Sequence, residues 1–295
     1  MNSDSLVTRF APSPTGLLHL GHAFSALTAF SAAQAKGGEF LLRLEDIDQG
    51  RYRPEFEDAI YRDLSWLGLS WETPVRRQSD HFADYEQALE KLREKNLVYR
   101  CFKTRKEITD EIARAPHFTA NGPEGPAYIG DMLKAVEERA LLSEGKPFAW
   151  RLSIAAAREY LGSKFGALSF VEEDVFAPNH RQTIKARPEI FGDVILARKD
   201  FATSYHLSSV YDDALQGITH VIRGDDLAPA AHLHTLLQVL LDLHTPIYRH
   251  HRLILNEDGK RLAKRDHAKT LCTMREAGTT IDEINDMLER TKDNQ

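Results

Sequence analysis

The segment His19-Leu20-Gly21-His22 sets two imidazoles around a glycine. It follows a turn marked by Pro12, Pro14 and Gly16 and precedes an alanine-rich stretch. At a helix start, free backbone N–H groups and the helix dipole attract phosphate. Histidines there can donate hydrogen bonds to charge that develops on a pentacoordinate phosphorus. Gly21 removes a side chain, so that a flat base or a phosphate can approach the backbone. Taken alone, the unit also fits two satisfied histidines that merely begin a helix. A second candidate is Gly259-Lys260-Arg261-Leu262-Ala263-Lys264-Arg265-Asp266, which follows the turn Asn256-Glu257-Asp258. Between residues 249 and 269 there are seven Lys/Arg and three Asp/Glu, a local charge of +4. A basic loop of this kind can reach the β and γ phosphates of a nucleotide. In isolation it reads more readily as a solvated face; beside the first motif the phosphate reading prevails.

Both groups need a scaffold. Residues 7–11 read as a strand and 23–36 as a helix ended by Gly37-Gly38. Residues 40–44 read as a second strand, ending in the acidic cluster Glu45, Asp46 and Asp48. Pro54 opens a helix to about residue 67, with Glu55, Glu57 and Asp58 in its first turn, where the dipole favours acids. Strand, helix, strand, helix with short links predicts a parallel α/β sheet. A helix over 81–95 and a strand over 98–102 follow. Residues 115–130, rich in Pro and Gly, read as an irregular excursion, and 131–143 as a helix. Residues 149–154 and 168–172 look like strands of an inserted subdomain. The α/β pattern resumes after Gly192, with strands over 194–197 and 219–223, helices over 205–215 and 229–241, and helical periodicity over 270–290. The expected organisation is two sheet halves, 1–100 and 186–245, split by an α+β insertion at 101–185 and followed by a loop and helical tail at 246–295.

Composition narrows the classes. The 295 residues are 42% hydrophobic and 28% charged, which excludes a disordered chain and a small disulfide scaffold. The net charge of −6 argues against a nucleic-acid partner only if the total is the guide. Backbone binding depends on where the bases lie, and here they gather at 100–106 and 249–269. Residues 1–10 hold no signal-peptide-like apolar run, and no window approaches 18 uninterrupted apolar residues, so no membrane partner is expected. Two cysteines in different parts of the chain fit a reducing cytoplasm.

The two motifs resemble the "HIGH" and "KMSKS" signatures of class I aminoacyl-tRNA synthetases. Arg9-Phe10-Ala11-Pro12-Ser13-Pro14-Thr15-Gly16 resembles the opening of the glutamyl-tRNA synthetases, and Arg43-Leu44-Glu45-Asp46-Ile47-Asp48 their next block. Tyr205-His206-Leu207, Asp212-Asp213 and Gly217-Ile218-Thr219-His220-Val221-Ile222-Arg223-Gly224-Asp225-Asp226-Leu227 resemble second-half blocks. The likeness covers residues 8–277. It implies a Rossmann-like class I catalytic domain, split by an inserted α+β subdomain and ending in a small helical tail. It further implies that Arg9 and Tyr205 meet the side-chain carboxylate of glutamate, that Ser13 lines the same pocket, that Glu45 holds the α-ammonium and that Arg223 pairs with a substrate carboxylate. A guanidinium fork matches a carboxylate in two parallel hydrogen bonds, and glutamine would leave it unpaired. His19, Gly21, His22 and Lys264 would bind ATP, with His19, His22 and Lys264 catalytic and Mg²⁺ accompanying the nucleotide. In the KMSKS-like stretch Arg261, Leu262, Ala263, Lys264 and Arg265, Arg261 keeps the first charge while Ala263 loses a hydroxyl, which places more weight on Lys264.

Only thirty residues follow Arg265, so a helical anticodon-binding domain is not expected. In this the chain resembles the short glutamyl-queuosine tRNA(Asp) synthetase family. That resemblance implies ATP-dependent glutamate activation without tRNA, then transfer to queuosine at the wobble position of tRNA(Asp); a monomer is expected. The alternatives are a truncated enzyme charging tRNA(Glu) and a non-catalytic tRNA-binding paralogue; a non-tRNA nucleotidylyltransferase would leave the second-half blocks unexplained. Many members bind zinc through Cys-x-Cys, a Tyr and a further Cys. Here Cys101 and Tyr128 remain, but the other positions are Lys103 and Met132, so no zinc is expected. Lys103, Arg100, Arg105 and Lys106 read equally as RNA contacts or as a solvated helix start.

Overall fold

A computed structural model describes residues 5–114, 121–198, 202–255 and 269–290. Strand β1 (Val7–Phe10) returns through helix α1 (Leu20–Ala35) to strand β2 (Glu39–Leu44), which pairs with it in parallel from Val7 with Glu39 to Phe10 with Leu42. The inner face of α1 is alanine (Ala23, Ala26, Ala29, Ala32 and Ala33 are buried), which lets the helix lie close on the sheet. Thr8 Oγ1 donates to the Ala29 carbonyl at 2.9 Å. At the re-entry to β2 only glycine fits: a Cβ on Gly38 would lie 1.9 Å from the Leu6 carbonyl oxygen. Helix α2 (Pro54–Trp66) then leads to a third parallel strand, β3 (Arg76–Arg77). Helix α1 begins three residues earlier than the sequence predicts, because its N-cap is His19 rather than one of the usual Ser, Thr, Asp or Asn caps.

Helix α3 (Phe82–Glu94) crosses to strand β4 (Val98–Cys101), which helix α4 (Arg105–Arg114) follows. The Pro/Gly-rich excursion contains a two-stranded hairpin, β5 (Asn121–Gly122) and β6 (Gly125–Pro126). Helix α5 (Ala135–Ser143), strand β7 (Ala149–Leu152), helices α6 (Ile154–Leu161) and α7 (Ser163–Gly166), and the hairpin β8 (Ser169–Asp174)–β9 (Ala177–Lys185) follow. Strand β10 (Ile195–Arg198) pairs antiparallel with β7, and β7 with β4.

The second half comprises α8 (Tyr205–Leu215), β11 (His220–Gly224), α9 (Ala230–Leu240) and β12 (Ile247–His251). Strands β11 and β12 are parallel, and β12 also pairs with β8 where Tyr248 meets Glu172. The polar run Arg249-His250-His251 hid β12 from the sequence reading. The predicted tail helix is two helices, α10 (Leu271–Glu276) and α11 (Ile281–Arg290), separated at Gly278, whose φ of +79° ends a right-handed helix. The halves meet where the Thr219 N–H donates to the Val7 carbonyl at 3.1 Å and the Val7 N–H to Thr219 Oγ1 at 2.8 Å. The spatial order is therefore β3-β2-β1-β11-β12, with a switch between β1 and β11; α/β sheets bind ligands outside the strand carboxyl ends at such a switch. No described helix is long and apolar enough to cross a membrane.

Candidate active site

A cleft opens at the carboxyl ends of β1, β2, β11 and β12, against the N-terminus of α1. Arg9, Ser13, His19, Gly21, His22, Glu45, Tyr205 and Arg223 all line it. Every described residue that the sequence singled out for glutamate or ATP is thus in one place. Lys264 and its neighbours Arg261, Leu262, Ala263 and Arg265 lie outside the described residues.

At the α1 end, His19 Nδ1 accepts the Gly21 N–H at 3.1 Å, and His22 Nδ1 accepts the His19 N–H at 3.1 Å. This reciprocal cap leaves the two ring centroids 3.8 Å apart. With both Nδ1 atoms accepting, each neutral ring carries its proton on Nε2, the form that donates to a phosphate oxygen. Gly21 has a reason beyond ligand access: a Cβ would come within 3.0 Å of the His19 ring.

At the other end, buried charges are cross-linked. Arg9 donates to both oxygens of Asp213, Nε at 3.0 Å and Nη2 at 3.3 Å. Arg43, with no exposed surface, donates to Asp213 at 2.7 Å, to Gln216 Oε1 at 3.0 Å and to Glu45 Oε1 at 3.0 Å. Burial works against an ionised Asp213, but Arg9 and Arg43 outweigh it and hold the carboxyl below its usual range. Burial pushes the Glu45 carboxyl up, with Arg43 pulling the other way. Burial likewise raises the Tyr205 hydroxyl, against the Arg223 charge. Arg223 donates through Nη1 to the Tyr205 oxygen at 3.3 Å and through Nε to His250 Nε2 at 3.3 Å. Its Nη2 is buried and has no hydrogen-bond partner among the described residues. Because Arg223 lines the cleft, that donor is open to an acceptor on a ligand or a water.

Sequence reading missed the roles of Arg43, Asp213, His250 and Glu172. The first two stood in recognised blocks without an assigned task, and their signal was the placing of charge inside otherwise apolar elements. The last two meet only through the pairing of β8 with β12. Cys101 and Tyr128 are buried with Tyr99 and Ile108, while Met132 is exposed. Lys103 donates to Glu111 at 2.6 Å and Arg100 to Glu138 at 2.8 Å, so these two bases have acidic partners within the chain. Among the described residues, no group of three or more His, Cys, Asp or Glu is placed to hold a metal ion.

The switch-point cleft, the paired histidines and the buried arginines define a class I synthetase catalytic domain. The family model for class I tRNA synthetases (E and Q), catalytic domain, matches residues 5–283, and the chain belongs to that family. Membership implies ATP-dependent activation of an amino acid and its transfer to tRNA. Over 95% of its length the chain is 45% identical to the glutamyl-Q tRNA(Asp) synthetase of Rhodobacter capsulatus, covering 98% of that protein. It is 40% identical over 94% of its length to the protein of the same name from Nocardia farcinica, covering 81% of it. A crystal structure of glutamate-tRNA synthetase from Elizabethkingia anophelis superposes with a TM-score of 0.70 at 30% identity, over 89% of this chain and 53% of that one.

Proposed function

We propose that the protein condenses L-glutamate with ATP to glutamyl-adenylate and pyrophosphate, then transfers the glutamyl group to queuosine at the wobble position of tRNA(Asp). The observation that carries this reading is the meeting of Arg9, Glu45, Tyr205 and Arg223 with the histidine-capped start of α1 in one cleft. Arg9 and Tyr205 would take the side-chain carboxylate, Glu45 the α-ammonium, and the open Nη2 of Arg223 a substrate carboxylate, with Ser13 lining the pocket. The α-carboxylate attacks the α-phosphorus, and pyrophosphate leaves. Nε2–H of His19 and of His22, together with Lys264, stabilise the charge on the phosphoryl oxygens. In the second step a hydroxyl of the queuosine cyclopentenediol attacks the adenylate carbonyl, and AMP leaves. No covalent enzyme intermediate is needed; positioning and electrostatics supply the catalysis. Mg²⁺ would enter with ATP and be held largely by its phosphates.

Residues 1–100 and 186–245 serve as the catalytic halves in this reading and 101–185 as the insertion, while 246–295 first adds β12 to the second half and then supplies the loop and tail. The names and coverage of the R. capsulatus and N. farcinica relatives support the acceptor assignment. Glutamate-dependent ATP–pyrophosphate exchange without tRNA tests the first step. Exchange with glutamate and not glutamine is expected, and none with any amino acid would favour a non-catalytic tRNA-binding protein.

A further inference from the structure

We infer that His250 and Glu172 are positioning residues for Arg223: Glu172 fixes the tautomer in which His250 offers an acceptor, and that acceptor aims the guanidinium into the amino-acid pocket. The inference rests on the reading of Arg223 as a substrate-carboxylate ligand. Glu172 Oε1 lies 2.8 Å from His250 Nδ1 and 3.3 Å from the His250 backbone nitrogen. An ionised carboxylate only accepts, so Nδ1 carries the proton and Nε2 presents its lone pair. That lone pair receives Arg223 Nε at 3.3 Å. The His250 ring lies nearly parallel to Tyr248, at 10° and 5.9 Å between centroids, and the Arg223 guanidinium sits 5.3 Å from the same Tyr248 ring. Tyr205 takes one N–H of Nη1, so the guanidinium is held at two points, and Nη2, with no partner among the described residues, is left for a ligand.

The arrangement requires a neutral His250. Protonation would turn its Nε2 into a donor facing another donor and set two cations side by side. The charged and titratable groups around it are Glu172 on β8, Arg223 and Asp225 at the end of β11, Tyr248 and His251 on its own strand, and His232 and His234 on α9. Burial is the largest influence and holds the imidazole below its usual range; Arg223 acts in the same direction and Glu172 against it.

The test is pyrophosphate exchange, with KM for glutamate and for ATP measured separately, in His250→Leu, His250→Gln and Glu172→Gln, with Arg223→Ala as reference. His250→Leu should raise the glutamate KM about tenfold, as for loss of one hydrogen bond to a charged group, and leave the ATP KM within about twofold. His250→Gln, whose amide oxygen can accept from Arg223, should recover most of that loss. Glu172→Gln should raise the glutamate KM by a smaller factor. An unchanged glutamate KM in His250→Leu, while Arg223→Ala raises it, overturns the inference. So do equal rises in both KM values, or a His250→Gln variant no better than His250→Leu. An unchanged glutamate KM in Arg223→Ala instead overturns the reading of Arg223 itself.

Discussion

Asp213 holds Arg9 through both carboxylate oxygens, Nε at 3.0 Å from Oδ1 and Nη2 at 3.3 Å from Oδ2, and the same Oδ1 takes Arg43 at 2.7 Å. Arg43 in turn reaches Glu45. The two residues proposed to grip opposite ends of glutamate, Arg9 and Glu45, therefore share one buried frame, anchored on a helix that neither of them belongs to.

Asp213→Asn should be costly. It keeps the shape of the side chain but leaves the buried Arg9 without its anion and takes from Arg43 the nearest of its carboxylates, a change that costs about 3–5 kcal/mol. Asp213 has a depressed folded-state pKa, so its stabilisation is fully present above the unfolded value of 3.8 and is lost as pH falls through the lower folded value. Urea denaturation should show a large deficit for Asp213→Asn at neutral pH that shrinks below pH 3.8. A variant as stable as the parent at pH 7 would contradict the shared frame.

Glu45→Gln should separate stability from binding. The folded-state pKa of Glu45 is raised, so its contribution to stability is present below the unfolded value of 4.5 and lost as pH rises through the folded value. When ionised, the buried carboxylate is a cost to the fold that a substrate ammonium offsets. The variant should melt no lower than the parent, while its glutamate KM rises about 10–100-fold, the loss of a charge-assisted hydrogen bond. A clear drop in melting temperature with unchanged KM would reverse this assignment.

Gly21→Ala should leave stability nearly unchanged and harm the chemistry. Alanine gains up to about 1 kcal/mol of helix propensity over glycine. Its Cβ, however, meets the His19 ring at 3.0 Å and pushes it from its capping position. Adenylate formation should fall about 10–100-fold, up to the loss for a 1 Å misplacement, with little net change in stability because the weakened cap offsets the propensity gain. An unchanged rate would mean that His19 does not touch the phosphates.

Lys264→Ala should lower adenylate formation by about 10²–10³-fold, as expected on removing one donor to a developing oxyanion. A near-parental rate would assign the basic stretch around Lys264 another role.

Much of this was legible in the sequence because it lies within local segments. The turn before His19, the alanine face of α1 and the acid cluster at the end of β2 each declare their element, and Arg9, Glu45, Tyr205 and Arg223 fall at strand or helix ends where a switch-point cleft must form. What stayed hidden depends on pairing between distant segments. Arg43 reads as one more strand residue until α8 sets Asp213 against it. Strand β12 carries too many polar groups for an apolar pattern, because His250 bonds to Glu172 and Arg249 pairs with Asp174. The start of α1 was misplaced because a histidine took a cap that short polar side chains usually fill.

The central claim is tested most directly by glutamate transfer to tRNA(Asp) prepared with and without queuosine, alongside unmodified tRNA(Glu). Stable attachment to the queuosine-containing tRNA(Asp) alone is predicted. Charging of tRNA(Glu), or equal labelling of both forms of tRNA(Asp), would contradict it.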